Sequence, residues 1–243
     1  MSPTGVVLPY WPDRPPLEAL HIAALAERNG YDELWVGEMA TFDAFAIASA
    51  IAVQTERIPL TVGPLAVAVR DPVALALGIA SVSELAGRPA GLALGVSTPT
   101  VVSSWHGRSW EQPVARLHET IAAIRPILDG DKAAYEGTHV RAAGFRLRLT
   151  PPRSRITVAA FGDASVRVAA RAADRMVINL VTAGQATSLR AKLEHAAGEA
   201  GRSAPPLAAW VVAAVDPTEE TLRQITMSVV QYLAADRKRK GAV

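Results

Sequence analysis

Short apolar runs recur along this chain, each closing in small or polar residues and each followed by a stretch with helical spacing. The count is seven. The runs fall at residues 6–9, 34–37, 59–69, 91–96, 156–161, 175–181 and 207–215. Continuous apolar runs alternating with helices are the pattern of strands buried on both faces of a parallel sheet. Such sheets carry their chemistry just past the carboxyl ends of the strands. No Gly-x-Gly-x-x-Gly follows the first run, and no Walker-type Gly-Lys-Ser/Thr motif occurs, which disfavours a doubly wound nucleotide-binding sheet. The expected fold is therefore an α/β barrel of the (β/α)8 TIM type, lacking the eighth strand–helix unit. It forms a single domain over 1–243, with a hairpin insertion at about 131–152 and a basic tail at 236–243.

Helix boundaries are marked by local chemistry. Asp43 and the Asp71-Pro72 pair read as helix starts, and Asn29-Gly30 as a stop. Residues 216–219, Asp-Pro-Thr-Glu, read as the start of a last helix reaching about residue 235. Gly63-Pro64 interrupts the third strand, where proline cannot donate to the ladder, so a bulge or a cis bond is expected there.

Composition narrows the classes of function. There are no cysteines, so disulfides, thiolate nucleophiles and cysteine-ligated metals are excluded. No histidine pair has metal-site spacing, and no metal is expected. A net charge of +2 gives no nucleic-acid footprint. Apolar stretches fall short of the roughly 20 residues of a membrane span, and residues 1–5 lack the features of a signal peptide. A cytoplasmic protein that binds neither nucleic acid nor membrane is expected.

Several segments resemble, in order, the luciferase-like monooxygenase superfamily, and within it the class using the deazaflavin coenzyme F420. They are Gly-Tyr-Asp-Glu-Leu-Trp-Val-Gly-Glu at 30–38, Ala-Val-Ala-Val-Arg-Asp-Pro at 66–72 and Leu-Gly-Val-Ser-Thr-Pro at 94–99. Trp-His-Gly at 105–107, Ala-Ala-Phe-Gly at 159–162 and Ala-Asp-Arg-Met-Val-Ile-Asn at 173–179 complete the series. The resemblance implies a barrel whose flavin-like ring lies against the bulged third strand, where Gly63 and Pro64 stand. It also implies a phosphate tail on the loops after strands four and five, which places Ser97, Thr98, Ala160, Gly162, Asp163 and Ala164 at the cofactor. Asp163 is an awkward neighbour for an anion. The family often carries an acidic residue followed by histidine after strand two; here Glu38 is followed by Met39.

Two readings stand for each candidate side chain. Glu38 is a proton donor or acceptor beside the ring, or a structural carboxylate capping the Thr41 turn. His106 is a proton donor, or a loop histidine packed against Trp105 and Trp110. Trp11, Trp105 and Asn179 line a substrate pocket, or the tryptophans simply pack. Arg70 stands at a site position at the end of strand three, or, just before Asp71-Pro72, simply pairs with a carboxylate. The expected function is F420-dependent hydride transfer to a small organic substrate by a homodimer. The alternatives are an FMN-dependent monooxygenase, or a shortened flavin-binding protein without turnover. The early stop after the seventh unit motivates the last of these, because it leaves the first and seventh strands with free edges.

Overall fold

In the computed structural model, residues 2–8, 15–38 and 40–240 are described. The seven strands expected from the apolar runs form one parallel sheet. They are β1 (Gly5–Val7), β2 (Glu33–Val36), β3 (Leu60–Ala66), β4 (Gly91–Gly95), β7 (Ile156–Ala159), β8 (Arg175–Asn179) and β9 (Leu207–Trp210). They are ordered β1-β2-β3-β4-β7-β8-β9, every pairing parallel. The short antiparallel hairpin of β5 (Ala134–Glu136) and β6 (Arg141–Ala143) interrupts the alternation within the expected insertion.

Side-chain parity divides each strand between two cores. Leu34, Val36, Leu60, Val62, Leu92, Leu94, Ile156, Val158, Met176 and Ile178 are at most 2 % exposed and belong to the large outer core under the helices. Those helices are α1 (Glu18–Arg28), α2 (Ala44–Gln54), α3 (Pro72–Ala86), α4 (Pro113–Asp129), α5 (Asp163–Ala172) and α6 (Ala183–Glu199). The alternate residues Trp35, Ala93 and Val177 form a separate inner cluster with Val7, Ala159, Ala208 and Trp210 packed against it. One sheet with two distinct cores has curled on itself.

A buried ion pair shows how far it has curled. The guanidinium of Arg175 on β8 donates twice to the Glu33 carboxylate on β2, at 2.7 Å each. Three strands, β3, β4 and β7, separate those two in the sheet, so the contact crosses the lumen. Thr61 donates to Glu33, and Thr157 and Thr61 each accept from Arg175 at 3.2 Å. The Arg175 guanidinium also lies 4.5 Å from the ring centroid of Trp35. These residues sit at the amino ends of their strands and fill that end of the barrel. The result is a TIM-type barrel of seven parallel strands, nearly closed.

Caps form where the local chemistry places them. Asp43 accepts from the backbone N–H groups of Phe45 and Ala46, and Asp71 from that of Ala74, with Pro72 opening α3. Gly30 takes φ 72° just past Asn29, ending α1.

Three boundaries differ from expectation. Strand seven ends at Trp210, and residues 211–215 lie outside it, with Val211 and Val215 79 % and 92 % exposed. An apolar run without a packed partner does not extend a strand. The final helix, α7 (Glu219–Lys240), runs through the basic segment instead of stopping near residue 235. Its cap is Thr218, inside the expected 216–219 segment, whose hydroxyl accepts from the Thr221 N–H. Residues 100–105, read as loop, form a π-helical turn, Thr100–Trp105. No described helix is long and apolar enough to cross a membrane.

Candidate active site

The carboxyl ends of the strands open on the mouth opposite the Arg175–Glu33 plug. Strand β3 bends there. The Gly63–Pro64 bond is cis, and the register with β4 slips between Val62 and Leu65. Gly63 has φ 120°, and a Cβ on it would stand 2.2 Å from the carbonyl oxygen of Ala93. Only glycine fits so close to the neighbouring backbone. Across from the bulge, Gly95 carries no side chain to close the gap to Pro64 and Ala159. Small residues thus leave room over the inner cluster.

The loops after β4 and β7 leave the mouth side by side, because those strands are hydrogen-bonded neighbours with Leu94 opposite Val158. Ser97 takes φ 62°, and the Thr98 hydroxyl accepts from the Val101 N–H. On the β7 side, α5 begins at Asp163 with Gly162 at its cap position and no side chain capping it. Nothing lies within 4 Å of where a Cβ on Gly162 would be. The first N–H groups of a helix point outward unpaired, with the positive end of its dipole. Asp163, the awkward carboxylate in this cradle, is bonded by Lys192 of α6 at 2.7 Å, which holds it below its ordinary pKa. Ala164 is exposed beside it, whereas Ala160 is 1 % exposed and packs into the outer core, leaving only its backbone toward the mouth.

Glu38 follows β2 and is half-buried. Both of its oxygens accept from Arg70, and one also accepts from the Ala44 N–H at the start of α2. It does not cap the Thr41 turn. Arg70 reaches Asp43 as well, and its guanidinium lies 5.6 Å from the Phe45 ring centroid. The carboxylate of Glu38 raises the Arg70 pKa above its ordinary value, more than burial lowers it. Burial works to raise the pKa of Asp43, but the Ala46 N–H and Arg70 outweigh it and hold that group low.

His106 follows the π-helical turn and is exposed, as is Trp105 at 58 %. Asn179 ends β8 opposite Trp210 in the β8–β9 register, and both are half-buried. Trp210 meets Trp35 edge to face at 5.3 Å, and its indole Nε1 is buried with no acceptor among the described residues. Trp11 lies outside the described residues. Two of these groups escaped the sequence. Trp210 was hidden because strand seven was expected to run five residues further, which put its end elsewhere. Lys192 sits mid-helix, and only the packing of α6 on α5 brings it to Asp163. Among the described residues no group of three or more His, Asp or Glu is arranged to hold a metal.

The family model described as luciferase-like monooxygenase matches residues 4–242. The chain belongs to that family. One relative, the 5,10-methylenetetrahydromethanopterin reductase of Methanolobus tindarius, is 27 % identical over 229 residues, which is 93 % of this chain and 70 % of that one. Among solved structures, the coenzyme F420-dependent tetrahydromethanopterin reductase of Methanopyrus kandleri superposes with a TM-score of 0.79 at 21 % identity. That match covers 90 % of this chain and 68 % of the other. The oxygenating constituent of 3,6-diketocamphane monooxygenase from Pseudomonas putida, in complex with FMN, gives 0.78 at 20 % identity over 98 % and 76 %. Both place this luciferase-like chain on the same barrel.

Proposed function

We propose that this luciferase-like chain is an F420-dependent oxidoreductase that moves a hydride between the deazaflavin and a small organic substrate. The observation that carries the reading is the uncapped start of α5 beside the Ser97–Thr98 loop. It offers unpaired N–H donors, two hydroxyl-bearing residues and open space, the chemistry a phosphate tail requires. The residues present fit such a cofactor in a second respect, since Gly95, Pro64 and Ala159 leave a shallow floor over the inner cluster where a flat ring would rest.

When bound, the deazaflavin supplies or accepts the hydride. This chain's own residues do the rest. Ser97, Thr98 and the backbone at Gly162, Asp163 and Ala164 bind the phosphate end, with Lys192 neutralising the nearby carboxylate. The Gly63–Pro64 bulge orients the ring. Asn179, Trp105 and Trp210 wall the substrate and exclude water. His106 exchanges the proton that accompanies hydride transfer. Glu38, with both oxygens engaged by Arg70, braces the loop after β2.

The fold alone fits FMN as well. Titrating the purified protein with F420 and with FMN separates the two, F420 being expected to bind in the micromolar range. Binding of FMN with none of F420 would overturn the cofactor assignment. Tight F420 binding with no turnover across a broad screen of acceptors would overturn the enzymatic one.

A further inference from the structure

A groove runs down the outside of the barrel between α4 and α5, beginning where the cradle at the mouth ends. The two helices are in contact and run the same way, because the strands before them, β4 and β7, pair in parallel. Val114, Ala115 and Val168 give the groove an aliphatic floor, and His118, Arg167 and Arg171 stand around it, enclosing about 250 Å³. Ala164 lines it too, one residue past the start of α5. Ala164, Arg167, Val168 and Arg171 recur at the spacing of one helix face. The groove therefore continues the cradle for two turns, about 10 Å at 1.5 Å rise per residue.

Its charge has one sign. No acidic side chain lines it. The nearest carboxylates in the sequence are engaged elsewhere: Asp163 by Lys192, and Glu119 by the backbone N–H groups of Thr138, His139 and Val140. Arg167 helps to hold the Asp163 pKa low, yet neither it nor Arg171 makes a hydrogen bond or ion pair among the described residues. Both arginines and His118 are exposed. A bare inorganic anion has no use for the aliphatic floor, and an uncharged acyl chain has none for two guanidiniums a turn apart. Carboxylates carried on a methylene chain use both.

We infer that the groove holds an acidic chain running on from the phosphate seated at the start of α5, with its carboxylates on Arg167 and Arg171. Its methylene groups lie over Val114, Ala115 and Val168, and His118 meets it from α4. The inference rests on the cofactor reading above for the source of that chain; a free oligocarboxylate has the same chemistry.

Three probes separate the sources, each titrated calorimetrically against the full-length protein. They are F420 bearing its oligoglutamate chain, the same deazaflavin cut back to its phosphate, and free tetraglutamate. The chain-bearing form is expected to bind about fivefold more tightly than the shortened one at low salt, with the gap closing as salt is raised. Arg167→Gln/Arg171→Gln should abolish the gap while leaving the shortened form's affinity unchanged. Arg167→Lys/Arg171→Lys should keep most of it, since charge and not fork geometry carries an exposed contact. Both positions are exposed, and an unchanged circular dichroism spectrum and Tm confirm folding.

Equal affinity of the two deazaflavins overturns the proposal, as does a gap that survives Arg167→Gln/Arg171→Gln. Equal weakening of both forms in that variant overturns it too, because the arginines then act on the cradle and not on the chain. Binding of neither deazaflavin removes the F420 reading instead. Tetraglutamate bound by the parent and not by Arg167→Gln/Arg171→Gln would in that event support the groove with a free acidic ligand as its occupant, and no binding of tetraglutamate would overturn it.

Discussion

Glu27 gathers three backbone donors that no motif announces. Its carboxylate accepts from the backbone N–H groups of Glu56, Arg57 and Ile58 at 2.7–3.0 Å, tying α1 to the segment entering β3. Burial pushes its pKa up, but the three donors outweigh that and lower it from 4.5 to about 2. A depressed carboxylate stabilises the fold above its unfolded pKa and loses that contribution as pH falls through the folded one. Thermal melts should therefore show stability falling between pH 4.5 and 2, with a smaller loss in Glu27→Gln. Equal acid sensitivity in both proteins would remove Glu27 as the cause. His106→Ala tests the proton role: a general acid typically contributes about 10²–10⁴-fold, so turnover should drop by that order while F420 affinity holds. Unchanged turnover sends the proton elsewhere. Trp210→Phe keeps the ring contact with Trp35 but deletes a donor that has no partner among the described residues. An orphaned buried donor costs about 1–3 kcal/mol, so Tm should rise. A fall in Tm would mean that the N–H is satisfied in solution.

Strand β3 is where local sequence and packing bear on each other most tightly. Gly63 and Pro64 announce an irregularity, and the strand obliges with a register slip against β4. How close the backbones come is a fact of the pair of strands. A Cβ at 2.2 Å from the Ala93 carbonyl cannot be absorbed by a rotamer change, since both atoms are fixed by backbone. Gly63→Ala also strains φ 120°. We expect it to cost more than about 3 kcal/mol and to lower the yield of soluble protein, whereas Pro64→Ala should leave a folded barrel. Denaturant titration of both variants checks this. A folded Gly63→Ala with near-parental stability would show that the bulge opens freely.

The barrel closes around an ion pair whose partners are 142 residues apart in the chain. Glu33 is 18 % and Arg175 11 % exposed, so removing one partner strands a charge in a nearly dry lumen. Breaking such a pair costs about 3–5 kcal/mol. At about 2–4 °C per kcal/mol for a chain of this size, Arg175→Ala should lower Tm by roughly 6–20 °C, as calorimetry would show. Double replacement of Glu33 and Arg175 by apolar residues should recover part of that loss. If Arg175→Ala alone melts like the parent, the plug does not hold the barrel shut.

Strand count, parallel pairing, the Asp43 and Asp71 caps and the irregular third strand were all legible in the chain, because each depends on neighbours a few residues away. Alternating apolar runs cannot bury both faces except in a helix-covered parallel sheet, and proline cannot complete a ladder wherever it stands. The family resemblance was legible for the same reason, being carried by short ordered segments. What long-range packing settled was different in kind. Whether Glu38 is free or held depends on Arg70, 32 residues away, and whether Asp163 repels an anion depends on Lys192, 29 residues away. The end of strand seven depends on whether anything packs on residues 211–215. Arg175 reads as an ordinary strand-start charge until the sheet curls and brings Glu33 to it. A side chain's role follows from what stands within a few ångströms of it, and in a barrel those neighbours come from strands far apart in the chain.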